Sequence, residues 1–187
     1  MTAKKRKLIG DLANVIREIL GMADDCFDLC DAVYCLSGKI EYFCGRTTHK
    51  VEEVVKYSVH TNINEKRKNH CHFVIRIDKD KEKTRQRFSI AHELGHLFLH
   101  MKYPHEEWLA LPVGVSYKRA SGKYTMAEIE ANEFAAAFLM PEDSFRNIAM
   151  KNINSEGSHY NLDKVAKHFN VSVCSASYRG INLGIWK

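Results

Sequence analysis

No stretch of eighteen apolar residues occurs in the 187-residue chain, so no membrane-spanning helix is expected. The N-terminus carries a basic cluster, Lys4, Lys5, Arg6 and Lys7, but it runs into Asp11 and an amphipathic pattern. There is no apolar stretch ending in a small-residue cleavage site, which argues against a secretory signal and makes the cytoplasm the expected location. No C-x-x-C pair occurs among the six cysteines (26, 30, 35, 44, 71 and 174), so a zinc ribbon is not expected. Their irregular spacing in a chain of this length points to reduced, structural thiols, with Cys26 and Cys30 read as a buried pair one helical turn apart. Internal repeats and low-complexity tracts are also lacking. The net charge is only +5. Basic residues gather at Lys4 to Lys7, at Lys66 to Lys68 and from Lys79 to Arg87, interleaved with acids. Such runs read as solvated surface, or as attraction for an acidic protein substrate, rather than as a nucleic-acid footprint.

What is present is a core and a motif. A hydrophobic fraction of 45% suits one domain, or one domain with a small appendage. Ten histidines occur, and two of them stand in His92-Glu93-Leu94-Gly95-His96. Histidines four apart share one face of an α-helix and can hold one Zn²⁺, while Glu93 reaches the water on the metal and serves as catalytic base. Ile90, Ala91, Leu94, Leu97 and Phe98 or Leu99 form an apolar stripe, so the helix is expected to be buried on the side away from the ion.

A catalytic zinc site needs a third protein ligand and an open position. His100 continues the face but lies two turns from His92, roughly 12 Å along the axis, too far to share the ion. The metzincin pattern is absent, because position 99 is Leu and position 102 is Lys. A second helix over Met126 to Met140, stopping before Pro141, supplies the remaining source. Ala131, Ala135 and Ala136 suit a close approach to the first helix. Glu128 and Asn132 share a face, which makes Glu128 the better third ligand and Asn132 a group that orients a ligand by a hydrogen bond. Glu130 and Glu133 read as a solvated face.

Together the run Arg87 to His100 and the run Glu128-x-Glu-Ala-Asn-x-Phe-Ala-Ala-x-Phe-Leu-Met-Pro141 resemble the ImmA/IrrE family of metallo-endopeptidases. The resemblance extends from about residue 8 to the end and is weakest over the first 70 residues. It implies a zincin-like core, a zinc site of His92, His96 and Glu128, Glu93 as base, and cytoplasmic cleavage of repressor proteins. The E-x-x-x-N spacing is similar to the gluzincin arrangement, in which an acid replaces the Asn.

The rest of the pattern predicts helices over 8–20, 25–36, 84–100 and 142–151, and strands at 39–43 and 71–77. Residues 51–59 are ambiguous between strand and short helix. The strand at 71–77 precedes the zinc helix, and its edge is expected to hold a substrate peptide. His70 and His72 read as surface or packing residues. Residues 101–124 read as a structureless connection, suited to a lid over the cleft, in which His105, Tyr117 and Tyr124 are the polar candidates for stabilising an oxyanion. From Leu162 to Gly184 the pattern is helix, turn at Asn170 and Val171, N-cap at Ser172, helix. Only Lys164, Lys167 and Arg179 there are suited to phosphate, so packing or partner docking is favoured over DNA contact.

The expected fold is α+β, mostly helical, with a small mixed or antiparallel sheet. A peptidase domain is expected over 1–151 and a helix-turn-helix-like appendage over 152–187, packed on the same domain. The expected function is zinc-dependent cleavage of a cytoplasmic protein such as a helix-turn-helix repressor. The alternative is a non-proteolytic zinc protein that binds a transcription factor or acts in a toxin–antitoxin-like module.

Overall fold

Thr2 accepts a hydrogen bond from the Lys5 amide and opens helix α1 (Ala3–Ile19), five residues earlier than the apolar periodicity alone indicates. The computed structural model describes residues 1–22, 25–45, 51–57, 71–118, 125–153 and 159–186. After α1 come α2 (Leu29–Cys35), β1 (Gly38–Phe43), β2 (Glu53–Lys56) and β3 (Phe73–Asp78). They are followed by α3 (Lys83–Leu99), α4 (Glu106–Ala110), β4 (Ser116–Lys118) and α5 (Met126–Leu139). The chain ends on α6 (Glu142–Lys151), α7 (Leu162–His168) and α8 (Val173–Asn182). The fold is α+β, and helices outweigh a four-stranded mixed sheet. Among the described residues, no helix is long and apolar enough to cross a membrane.

The sheet runs β1-β3-β2-β4, with β1 parallel to β3 and β2 antiparallel to both β3 and β4. This corrects the expectation of a substrate-holding edge at 71–77. Strand β3 is interior, paired along both sides, and among the described residues β1 and β4 are the edge strands. Its sequence shows why: Phe73, Val74, Ile75 and Ile77 are all buried, a near-continuous apolar run of the kind that central strands carry. The ambiguous segment at 51–59 contains β2, whose four residues are all buried.

The connection between the two ligand-bearing helices is not structureless. It holds α4 and β4, and Lys56 of β2 fastens it to the sheet. The Lys56 side chain is 1% exposed, and its ammonium donates to the carbonyls of Trp108 (2.6 Å), Leu109 (3.1 Å) and Leu111 (2.6 Å). Three carbonyls and the face of the Trp108 ring (5.1 Å) replace the water this charge loses on burial. A lid is therefore not what residues 101–118 form. Residues 119–124, and Tyr124 with them, lie outside the described residues, as do His70 and Lys66 to Lys68.

Helices α3 and α5 cross at the centre of the molecule. A methyl group added at Gly95 would lie 3.0 Å from the Ala131 Cα and 3.2 Å from the Phe134 Cβ, so the backbones touch there. Helix α3 is buried nearly all round from Gln86 to Leu97, not on one face only. Its first turn is tied down by Gln86, whose side-chain amide donates to the carbonyls of Lys79 (3.0 Å) and Lys81 (2.6 Å).

Helix α5 stops two residues before Pro141 without a glycine cap, and two arginines bond carbonyls at its end. Arg17 of α1 donates to Phe138 O (2.8 Å) and Arg179 of α8 donates to Met140 O (3.0 Å). Val165 of α7, Phe169 and Val171 of the turn after it, and Ala176 of α8 belong to the same apolar core as Ile9 of α1 and Leu94 of α3. Between α7 and α8 the chain turns at Asn170 (φ 51), and the Ser172 hydroxyl accepts from the Ser175 amide at 3.1 Å.

Two sequence expectations fail on burial. All six cysteines are free, but Cys26 and Cys30 are exposed. Helix α2 starts only at Leu29 and turns Leu29, Ala32 and Val33 inward, which leaves Cys30 on the outer side. Glu130 and Glu133 are 7% and 5% exposed, not a solvated face. Glu133 binds Arg179 (3.1 Å) and Arg6 (3.2 Å), and Glu130 binds Lys5. Helix α1 packs along the side of α5 that carries Glu133, and Arg179 of α8 reaches across to Glu133 and the end of α5. Arg179 is thereby enclosed at 4% exposure and is not presented to solvent as a phosphate contact.

Candidate metal centre

His92 and His96 project from α3 and Glu128 from the first turn of α5, toward a common point. The Thr125 hydroxyl caps α5 by accepting from the Glu128 amide (3.3 Å), which fixes the turn that carries the carboxylate. The Nε2 atoms of His92 and His96 are 3.0 Å apart. Glu128 places Oε2 3.3 Å from the first and Oε1 3.4 Å from the second. All three residues are buried, and one ligand atom from each lies within 4.8 Å of the others. His100 is not a member of this group.

The protonation pattern fits a cation at that point. The Nδ1 of His92 lies 2.9 Å from the Asn132 side-chain oxygen. An amide oxygen only accepts, so the proton sits on Nδ1 and Nε2 presents a bare lone pair. His96 is pushed down to about 3, by burial first and by neighbouring His92 second, against the opposing pull of Glu128. With His96 held neutral by its burial, two imidazole nitrogens and a carboxylate converge on one point, an arrangement that a shared divalent ion satisfies. Two imidazole nitrogens and one carboxylate oxygen are the donor set of catalytic zinc sites that keep an open position.

The remaining candidates fall into place around this cluster. Glu93 is 2% exposed and lines a cleft together with His92, Asn132, Ser89, Phe88 and Glu52. Ser89 donates to Glu52 at 3.0 Å, and Lys81 pairs with the same carboxylate at 2.6 Å. Tyr117 of β4 stacks on His96 with ring centroids 4.4 Å apart, and on His100 at 5.0 Å. His105 is exposed ahead of α4, and His72 lies 3.2 Å from the Tyr103 hydroxyl.

The sequence reading passed over what lies behind His96. Its Nδ1 is 3.0 Å from Nδ1 of His100, whose Nε2 is 3.5 Å from Glu130. The signal in the sequence is the i, i+4 continuation of the histidine face from His96 to His100. Burial lowers the His100 imidazole, with Glu130 opposing. Burial works to raise the Glu130 carboxyl, but Lys5 and His100 outweigh it and hold it below the usual range.

Metal-free protein should register the buried His96 in its pH dependence. Unfolded, the group titrates near 6.5, and folded near 3, so between these values the unfolded chain binds more protons. Stability then falls as pH drops through that window, by up to about 1.4 kcal/mol per pH unit from this group. Urea unfolding of chelator-treated protein is expected to give a stability roughly 2 kcal/mol lower at pH 5 than at pH 7. Equal stabilities would show that His96 is not held neutral.

A buried pair of histidines and a carboxylate on two crossed helices, with a glutamate beside the first histidine, define a metallopeptidase type of centre. The model of the Peptidase_M78 family, the IrrE N-terminal-like domain, matches residues 52–179, and the chain belongs to that family. The resemblance seen in the two motifs is thus upheld at the level of the family. The match runs from β2 into α8 and spans both helices of the centre. No curated protein matches the chain.

Proposed function

We propose that the protein is a zinc-dependent endopeptidase that cleaves a cytoplasmic protein, such as a helix-turn-helix repressor, and so regulates transcription. The observation that carries the peptidase reading is the convergence of His92, His96 and Glu128. Glu93 is adjacent in sequence to His92 and lines a small pocket with His92 and Asn132. The repressor as substrate rests on the likeness of the motifs to the ImmA/IrrE peptidases.

In this reading His92, His96 and Glu128 would hold the ion, which would supply Lewis acidity when bound. Glu93 takes the proton of that water and delivers it to the leaving amine. Asn132 keeps the His92 ring turned with Nε2 inward. Tyr117 packs flat on His96 and is the one described oxyanion candidate in ring contact with the cluster.

Mixing purified protein with a helix-turn-helix repressor, should an adjacent reading frame encode one, with and without a chelator, tests the reading. Cleavage at a single bond, abolished by chelator and restored by added Zn²⁺, is the expected result. A stable complex with no cleavage would instead establish a non-proteolytic binding protein.

A further inference from the structure

We propose that His100 and Glu130 are positioning residues that set the orientation and tautomer of His96, with Lys5 of α1 fixing the outer end of the chain. The inference rests on the metal-centre reading above. It starts from an asymmetry. His92 is held by an acceptor-only group, the Asn132 oxygen, whereas His96 faces another imidazole nitrogen, which donates or accepts according to its own tautomer. Left alone, the His96–His100 pair has two arrangements. In one, the His96 proton sits on Nδ1 and Nε2 is bare toward His92 and Glu128. In the other, the proton sits on Nε2 and blocks ligation.

The groups behind His100 select the first. Glu130 is a carboxylate, which only accepts, and its Oε2 is 3.5 Å from His100 Nε2. His100 Nε2 is buried and makes no hydrogen bond of its own, so a proton there is favoured by the charge of the facing carboxylate alone, and His100 Nδ1 is then the acceptor. The His96 proton must then lie on Nδ1 to fill the 3.0 Å contact, and Nε2 is left free. Glu130 is kept charged and in place by the ion pair of its other oxygen with Lys5. Tyr117 stacks on both rings at an interplanar angle of 23° and restricts their rotation. The chain Lys5, Glu130, His100, His96 therefore does for one ligand what Asn132 does alone for the other.

A residue that merely fills space would behave differently from one that accepts a proton from His96. His100→Phe keeps a ring between Tyr117 and α5 but offers no acceptor. His100→Gln offers a side-chain oxygen to His96 and an N–H to Glu130. The affinities of the full chain for Zn²⁺ and Co²⁺ are measured by competition with a chelating dye, alongside the visible spectrum of the Co²⁺ form. The unfolding midpoint of the metal-free protein serves as the control for folding. His100→Phe is expected to weaken zinc about 10–100-fold and to alter the Co²⁺ spectrum, and His100→Gln to return affinity to within a few-fold of wild type. Glu130→Gln, which keeps the shape and loses the charge, is expected to weaken zinc several-fold and carries the test should His100→Phe not fold. Wild-type zinc affinity in His100→Phe, or in Glu130→Gln where that variant carries the test, or no recovery in a folded His100→Gln, overturns the inference. If the wild-type chain takes up neither ion, the metal-centre reading fails and the inference fails with it. Tight metal binding with the expected variant series but no proteolysis removes the peptidase reading alone.

Discussion

Replacing Glu93 by Gln is expected to lower proteolysis by about 10²–10⁴-fold while leaving metal content and stability near wild type. The size follows from the role: a positioned base that moves one proton in the transition state contributes on that order. The selectivity follows from the geometry. Glu93 lies outside the three-residue ligand group, so its loss removes no donor. The amide is nearly isosteric with the carboxylate, so a side chain that is 2% exposed is replaced without a cavity. Turnover of the substrate protein, metal stoichiometry and a denaturation curve on the same preparation separate the effects. Wild-type turnover in a folded, metal-loaded Glu93→Gln protein would remove Glu93 from the chemistry. Loss of metal along with activity would place it among the ligands instead.

The largest expected effect on stability belongs to Arg179. Its guanidinium is 4% exposed, donates to Glu133 and Met140 O, and joins α8 to α5. Arg179→Met keeps the aliphatic stem and removes the charge. It deprives the end of α5 of one carbonyl partner and leaves buried Glu133 with Arg6, which is partly exposed to solvent. Breaking a buried ion pair from one side costs about 3–5 kcal/mol, because the remaining charge loses its compensation. The cost should appear as a lower urea midpoint for the metal-free protein. A second change, Glu133→Gln, should recover part of it, since the buried charge left with only the part-exposed Arg6 is then gone. A loss under about 1 kcal/mol would mean that the pair acts as an ordinary surface contact.

How far the sequence reveals this molecule depends on whether the interacting residues are close in the chain. The histidines are one turn apart on one helix, and Glu128 and Asn132 are one turn apart on another, so the periodicity of 3.6 was enough to bring all four to a common face. Glu130 and Glu133 were misread for the opposite reason. Their partners, Lys5, Arg6 and Arg179, lie in the first and last helices, and nothing local to α5 announces that they reach it. Charged residues are usually solvated, and only tertiary pairing overrides that rule here. Strand β4 was hidden by its length of three residues between proline and glycine signals. The place of β3 inside the sheet is a matter of topology, and periodicity along one strand does not report its neighbours. Even there a sign lay in the composition, since β3 opens on three consecutive buried apolar residues, Phe73, Val74 and Ile75.

The contact of Gly95 with Ala131 bears on how such a centre diverges. Because the backbones of the two ligand helices touch, the spacing of the donors belongs to the helix crossing and not to the chain that joins them. The joining segment is then free to lengthen, shorten or change composition among descendants while the centre stays intact. A small residue at positions 95 and 131 is the less negotiable requirement. Distant kin should therefore be recognised by two short helical signatures, each with a small residue at the crossing, separated by an interval of no fixed length.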